Sequence, residues 1–208
     1  MTEQIFPTKG NLIKARKDLA LSRLGYELMD RKRNILIREL MQLVDSANEI
    51  RFDIEKTYED AYRALQQANV SLGVVEIFGK AVPVEKTLTV GSRSVMGVEI
   101  PTVKIDPVIH TAPFGFYDTD SSLDEAYILF ARVKEMTAKL AEVENGIYRL
   151  AVAIKKTQKR ANALKNILIP KFIGISKYIS DSLEEKEREE FSRLKVIKAQ
   201  KAKKAEKN

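Results

Sequence analysis

Few side chains in this sequence could do chemistry, and they are not gathered together. The single histidine, His110, lies in DPVIHTAPFG, and there is no cysteine. A zinc site needs three or four ligands, so one histidine without thiolates does not supply the usual set, and a lone loop histidine is ordinarily incidental. The run Gly91-Ser92-Arg93-Ser94 has a glycine and two hydroxyls. It lacks the Gly-Lys-Ser/Thr ending of a phosphate-binding loop and reads instead as the turn of a hairpin. Asn69-Val70-Ser71 fits a glycosylation acceptor, but it falls in a helical pattern in a chain expected to be made and kept in the cytosol. Glu184, Glu185, Glu187, Glu189 and Glu190 are interleaved with Lys186, Arg188 and Arg193, as on a solvated helix laced by pairs three or four residues apart. Lys195, Lys198, Lys201, Lys203, Lys204 and Lys207 could meet phosphates, yet no aromatic lies among them to stack on a base. No nucleophile, base and orienting group come together. The expectation is a non-catalytic chain with no cofactor, no metal site and no specific nucleic-acid partner.

The elements that carry these residues are long helices. Charged residues make up 31% of the 208 and aromatics 7%, with no tryptophan, which favours extended helices over a compact mixed core. No apolar run approaches the roughly 18 residues of a membrane span. The net charge of +7 is unevenly placed: residues 1–38 sum to +5, 39–148 to −8 and 149–208 to +10. If the chain folds back on itself, its two ends form one strongly positive tip.

Between residues 11 and 72 there is no proline, and Gly25 is the only glycine. Alternating steps of four and three from Leu36 pass through Leu40, Leu43, Ala47, Ile50, Ile54, Thr57, Ala61, Ala64, Ala68 and Ser71. Run backwards, the same register passes through Arg33, Met29, Tyr26, Ser22, Leu19, Ala15 and Leu12, with Asn11 as a candidate cap. A second seam takes in Ala126, Leu129, Val133, Met136, Leu140, Val143, Ile147, Leu150, Ile154, Thr157, Ala161, Leu164 and Leu168. Such spacing is that of coiled-coil seams. Thr119, Asp120, Ser121 and Ser122 could cap the second helix, and Pro170 should kink it by removing a donor and crowding the preceding turn. Helical character resumes through Phe172, Ile175, Ile179 and Leu183.

At about 1.5 Å per residue, sixty helical residues span about 90 Å, several times the ~17 Å radius of gyration of a compact chain this long. The expected fold is therefore mainly α: an antiparallel two-helix coiled coil with a small β-hairpin-containing insert. Residues 1–72 form the first helix, 73–121 a connector at the far end of the rod, and 122–208 the longer second helix, whose last part projects beyond the first. Pro83, Pro101, Pro107 and Pro113 keep long helix out of the connector.

Four stretches also resemble a known family. PTKGNLIKARKDLALSRLGYELMDRKRNILIREL (7–40) resembles the N-terminal signature of the D subunits of V-type and A-type rotary ATPases. VMGVEIP (95–101) is similar to that family's connector, KRANALKNILIP (159–170) to its Arg-Val-Asn-Ala-Leu-Glu segment and following Ile-Pro, and LEEKEREEFSRLKVIK (183–198) to its Glu/Arg-rich C-terminal block. Departures are Ser22 for alanine, Asp30 for lysine, Ala161 for valine and Lys165 for glutamate.

The resemblance implies a central-stalk rotor protein whose two termini enter a ring of catalytic A and non-catalytic B subunits. The other end would couple, with a small F subunit, to the membrane rotor through a funnel-shaped subunit. It would sit in the cytoplasm, peripheral to the membrane and not inserted in it, and link ATP hydrolysis or synthesis to proton or sodium transport. The residues expected to face the ring are Lys9, Lys14, Arg16, Arg188, Arg193, Lys195 and Lys198, on an exterior without deep apolar anchors. Two other classes fit long paired helices: a coiled-coil chaperone or adaptor of prefoldin-like architecture, and a nucleic-acid-binding rod.

Overall fold

The computed structural model describes residues 6–105, 113–115, 117 and 119–205. His110, Pro107 and Lys207 lie outside the described residues. In chain order the elements are α1 (Lys9–Leu72), α2 (Glu76–Ala81), β1 (Thr89–Val95), β2 (Val98–Lys104), α3 (Ser121–Ala163), a π-helical turn (Leu164–Leu168) and α4 (Ile169–Ala205). The fold is mainly α, a helical hairpin carrying a β insert.

The helix starts are set by short side chains. Thr8 accepts the Asn11 N–H at 3.2 Å, while Asn11 itself donates through Nδ2 to the Phe6 carbonyl at 2.8 Å. Thr8, not Asn11, is thus the cap, and α1 begins at Lys9. Asp120 accepts the Ser121 N–H at 2.7 Å where α3 begins. At the other end of α1, Gly73 takes φ +82°, and its N–H closes on the Asn69 carbonyl at 3.1 Å.

The chain divides into two compact units, one of Met1–Arg33 with Lys156–Asn208 and one of Asn34–Lys155. Within the second unit, Arg51 meets Glu144 at 2.6 Å, Thr57 meets Met136, and the rings of Tyr62 and Phe130 cross edge to face at 5.4 Å. Rising numbers on α1 face falling numbers on α3, so the pair is antiparallel. Burial recurs at three- and four-residue spacing: Leu36, Ala47, Ile54, Ala61, Ala64 and Ala68 on α1, and Ala126, Val133 and Leu150 on α3, are buried. Leu40, Leu43, Ile50, Leu129, Met136, Leu140, Val143, Ile147 and Ile154 are half-buried. The alanines let the backbones approach where α1 nears its end.

The hairpin turns elsewhere than Gly91-Ser92-Arg93-Ser94. That run lies within β1, where Gly91 pairs with Thr102 and Ser94 with Glu99. The reversal falls on Met96 and Gly97, at φ +51° and +76°. Positive φ at both central residues is the two-residue turn whose twist matches paired strands, and it needs glycine or a tolerated substitute. Gly91 has its own reason to lack a side chain, since a Cβ there would stand 2.9 Å from Thr102 Oγ1.

The hairpin packs against the helices of its own unit. It doubles back onto the helix pair, where Ile100 is buried with Leu36 and Leu150, with Leu40, Leu43, Val95, Val98, Ala153 and Ile154 around them. Arg93 bonds Glu39 at 3.0 Å, Arg149 donates to the Glu99 carbonyl at 3.2 Å, and the Val103 N–H donates to Glu142 at 2.8 Å. The physical reason is that a two-stranded ribbon cannot stand alone in water and needs an apolar surface to cover. Gly146 makes room for it. A Cβ at that buried position would stand 3.0 Å from Ile100 Cγ2 and 3.2 Å from Leu43 Cδ1. Gly146→Val should therefore displace the hairpin, at a cost of about 1–3 kcal/mol. A lower melting temperature with faster tryptic cleavage at Arg93 is the expected result, and unchanged cleavage would contradict it.

The strap from α2 to β1 is tied to α3 through one carboxylate. Lys134 donates to Glu85 Oε2 at 2.6 Å, and the Thr87 hydroxyl and N–H donate to Oε1. The Lys134 bond first, then those from Thr87, holds the Glu85 carboxyl down from the usual 4.5 to about 2. A lowered value means that this contribution is complete above pH 4.5 and lost as pH falls towards 2. Denaturation of the wild type and of Glu85→Gln should differ near pH 6 and converge near pH 2. A gap independent of pH would contradict the assignment.

α2 is pinned by aromatic edges, Phe78 to Phe114 at 5.8 Å and Phe114 to Tyr127 at 5.9 Å.

Candidate partner-contact surface

The charged ends of the chain lie in the first unit. Lys9 Nζ pairs with Glu187 at 3.1 Å, Tyr26 lies beneath Lys165 Nζ at 5.7 Å, and Arg33 donates to Gln158 at 2.8 Å. These contacts run antiparallel and fix the register. Ala15 and Ser22 of α1 are buried on this side, as are Thr157 and Ala161 of α3 and Ile179 of α4. Because Lys9 opens α1 and faces Glu187, α4 continues beyond the start of α1. Every described side chain from Glu184 to Lys201 is exposed.

Each basic residue singled out above has a definite place. Lys9 is paired with Glu187, which brings it beside Arg188. Arg188 and Arg193 sit 3.8 Å from Glu184 and Glu189 one turn before them. Glutamate four residues ahead of arginine is the favourable order, worth a few tenths of a kcal/mol when exposed. Among the described residues Lys14, Arg16, Lys195 and Lys198 make no ion pair. Lys14 and Arg16 lie about 7–10 Å along α1 from Lys9, and Lys195 and Lys198 about 12–17 Å beyond Glu187 on α4, at ~1.5 Å per residue. The cations therefore do not form one cluster. They are spread over several turns.

Position around the helix separates them further. At about 100° per residue, Arg188, Lys195 and Lys198 share one face of α4, and Arg193 points away. The same face carries two residues that charge counting misses, Phe191 and Leu194, which are 70% and 64% exposed. The signal for them is an apolar pair three residues apart inside a charged run. Leu21, Leu24 and Leu28 likewise stand outward on α1. The exterior is thus not free of apolar anchors as expected. The helices spend their inward-facing positions on each other, and these apolar residues fall outside that seam.

One seam assignment also changes. Leu168 is exposed and Ile169 is half-buried in its place, because the π-helical turn inserts a residue. The chain passes Pro170 as helix without a break in α4, and the proline falls in the first turn after the widened one. There its missing N–H and its bulk are tolerated.

A cleft of about 620 Å³ lies in the other unit between α2, the strap and α3. Phe78, Phe114, Tyr127 and Phe130 line it, and its charged rim is the Glu85–Lys134 pair. No group of three or more His, Asp or Glu close enough to hold a metal ion occurs among the described residues, and no helix there is long and apolar enough to cross a membrane.

With an exposed helix and the paired start of α1 as the salient surface, likeness to known proteins decides the family. The family model that describes the D subunit of ATP synthase matches residues 11–199. The chain belongs to the family of ATP synthase D subunits. It is 43% identical over 196 residues to the V-type ATP synthase D subunit of Thermotoga neapolitana, covering 93% of this chain and 97% of that one. It is 37% identical over 200 residues to the A-type ATP synthase D subunit of Methanopyrus kandleri, covering 94% and 86%. With the A-type ATP synthase D subunit of Pyrococcus furiosus the figures are 36% over 202 residues, and 94% of each chain. The match to the family of D subunits spans α1, the hairpin, α3 and nearly all of α4.

Proposed function

We propose that this chain is the central rotor shaft of a V/A-type ATPase, carrying torque between an ATP-hydrolysing or ATP-synthesising ring and a membrane ion-translocating rotor. Family membership sets the complex, and one observation carries the mechanical reading. Within each unit antiparallel helices are locked along an apolar seam, and in the first unit α4 continues past the Lys9–Glu187 contact with every described side chain exposed. Paired helices resist twisting and bending better than one, because each knob sits in a hole made by four residues opposite. A projecting single helix is asymmetric, so it presents different faces to similar ring subunits as it turns. Its exposure in isolation fits a surface whose neighbours belong to other chains.

In this reading the chain does no chemistry itself. The ring of catalytic A and non-catalytic B subunits contacts the tip through Lys9, Lys14, Arg16, Arg188, Arg193, Lys195 and Lys198. A small F subunit and a funnel-shaped one engage the other end, and the whole is peripheral to the membrane on its cytoplasmic side.

The test is a tagged pull-down from native membranes in moderate salt, with mass spectrometry of everything retained. The expected result is a nucleotide-binding ring and a small stalk protein, with one copy of this chain per three catalytic subunits. Retention of unfolded clients or nucleic acid without any ATPase would overturn the reading.

A further inference from the structure

Along α3 the inward-facing positions are three or four residues apart, but from Leu164 to the next, Ile169, the step is five. Continuing the earlier alternation would bring Leu168, Lys171, Ile175 and Tyr178 inward, and of these Leu168, Lys171 and Tyr178 are exposed while Ile175 is half-buried. Ile169, Phe172 and Ile179 lie inward instead, Ile179 with no exposed surface. The backbone absorbs the extra residue in the π-helical turn, where the Ile169 N–H bonds the Leu164 carbonyl five residues back. Such a turn is wider and less well bonded than an α turn. Pro170, the next residue, has no N–H to return to it.

The opposing helix is weakened at the same level. Gly25, the one glycine of α1 beyond its first turn, faces the π turn, with Leu164 Cδ1 3.7 Å from where its Cβ would be. A helical glycine costs up to about 1 kcal/mol relative to alanine. The widened turn and the glycine thus stand at one height.

We propose that Leu164–Leu168 and Gly25 together form a compliant joint. The inserted residue keeps the apolar faces before and after it directed at α1, and the loosened backbone on both helices concentrates bending and twisting there. That the joint stores elastic strain during rotation rests on the shaft reading above. The existence of the joint does not.

The experiment is hydrogen exchange by mass spectrometry on the full chain. Amides of residues 165–169 and 171 and of 23–28 are expected to exchange at least about tenfold faster than those of 40–50 and 145–155. Deleting Asn166 removes the extra residue and leaves everything downstream in phase. It is expected to slow exchange at the former π turn about tenfold and to leave the melting temperature unchanged or raised. Equal protection in the wild type would overturn the proposal, as would a deletion variant that melts lower with exchange unaltered. Should that variant fail to fold, Gly25→Ala and Pro170→Ala should each slow local exchange several-fold, and no slowing in either would also overturn it. The same deletion carried into the complex separates the two readings. Failure to join any ring, for wild type and variant alike, counts against the shaft function while the exchange result stands.

Discussion

Leu150→Ala is expected to lower the stability of the chain by about 2–5 kcal/mol, the usual cost of emptying a fully enclosed leucine site. Leu150 has no exposed surface and meets Leu36 of α1 and Ile100 of β2, so three elements lose contacts at once. Leu24→Ala is the control. Leu24 is 53% exposed, and its removal should stay within about 0.5 kcal/mol. Urea denaturation of both variants checks the pair. Similar losses in the two would mean that the hairpin and helices do not share one core.

On the shaft reading proposed above, reversing Arg188, Lys195 and Lys198 together to glutamate is expected to weaken association with the ring by roughly ten- to a hundredfold at low salt. Each exposed cation contributes at most about 1 kcal/mol to a pairing with an opposite charge, so three together reach the size that binding detects. All three share the face that carries Phe191 and Leu194, so the loss should fall largely on the electrostatic part and shrink as salt rises. Reversing Arg193, which points away, should do much less. Affinity of the wild type that is insensitive to salt would refute the electrostatic account and leave the apolar pair as the contact. Either substitution should lower the melting temperature of the free chain only slightly, because each turns one exposed i,i+4 pair from attraction to repulsion, an effect of about a few tenths of a kcal/mol.

Particular residues show how far the sequence reaches. Long helix is legible from the absence of proline and from apolar spacing, which are local properties of the chain. The insert is legible as β from its valines, isoleucines and prolines. Its turn is not: Gly91 looks like the turn residue but is there because Thr102 crowds it, while Met96 occupies a conformation that a sequence rule gives to asparagine or glycine. Leu168 looks like a seam residue until the π turn rotates it outward, because a strict alternation cannot register one inserted residue. Among the contact candidates, charge picks out the cations, but it cannot say which share a face with Phe191 and Leu194.

The sequence by itself therefore determined the class of fold, the two helices and the polarity of the ends, since helix propensity, periodicity and charge act over a few residues at a time. Only the tertiary structure decided where the hairpin lies, that Gly146 exists to receive Ile100, and that Gly25 stands opposite the widened turn. Those are contacts between residues tens of positions apart, fixed by which apolar surfaces were left to cover once the helices had paired.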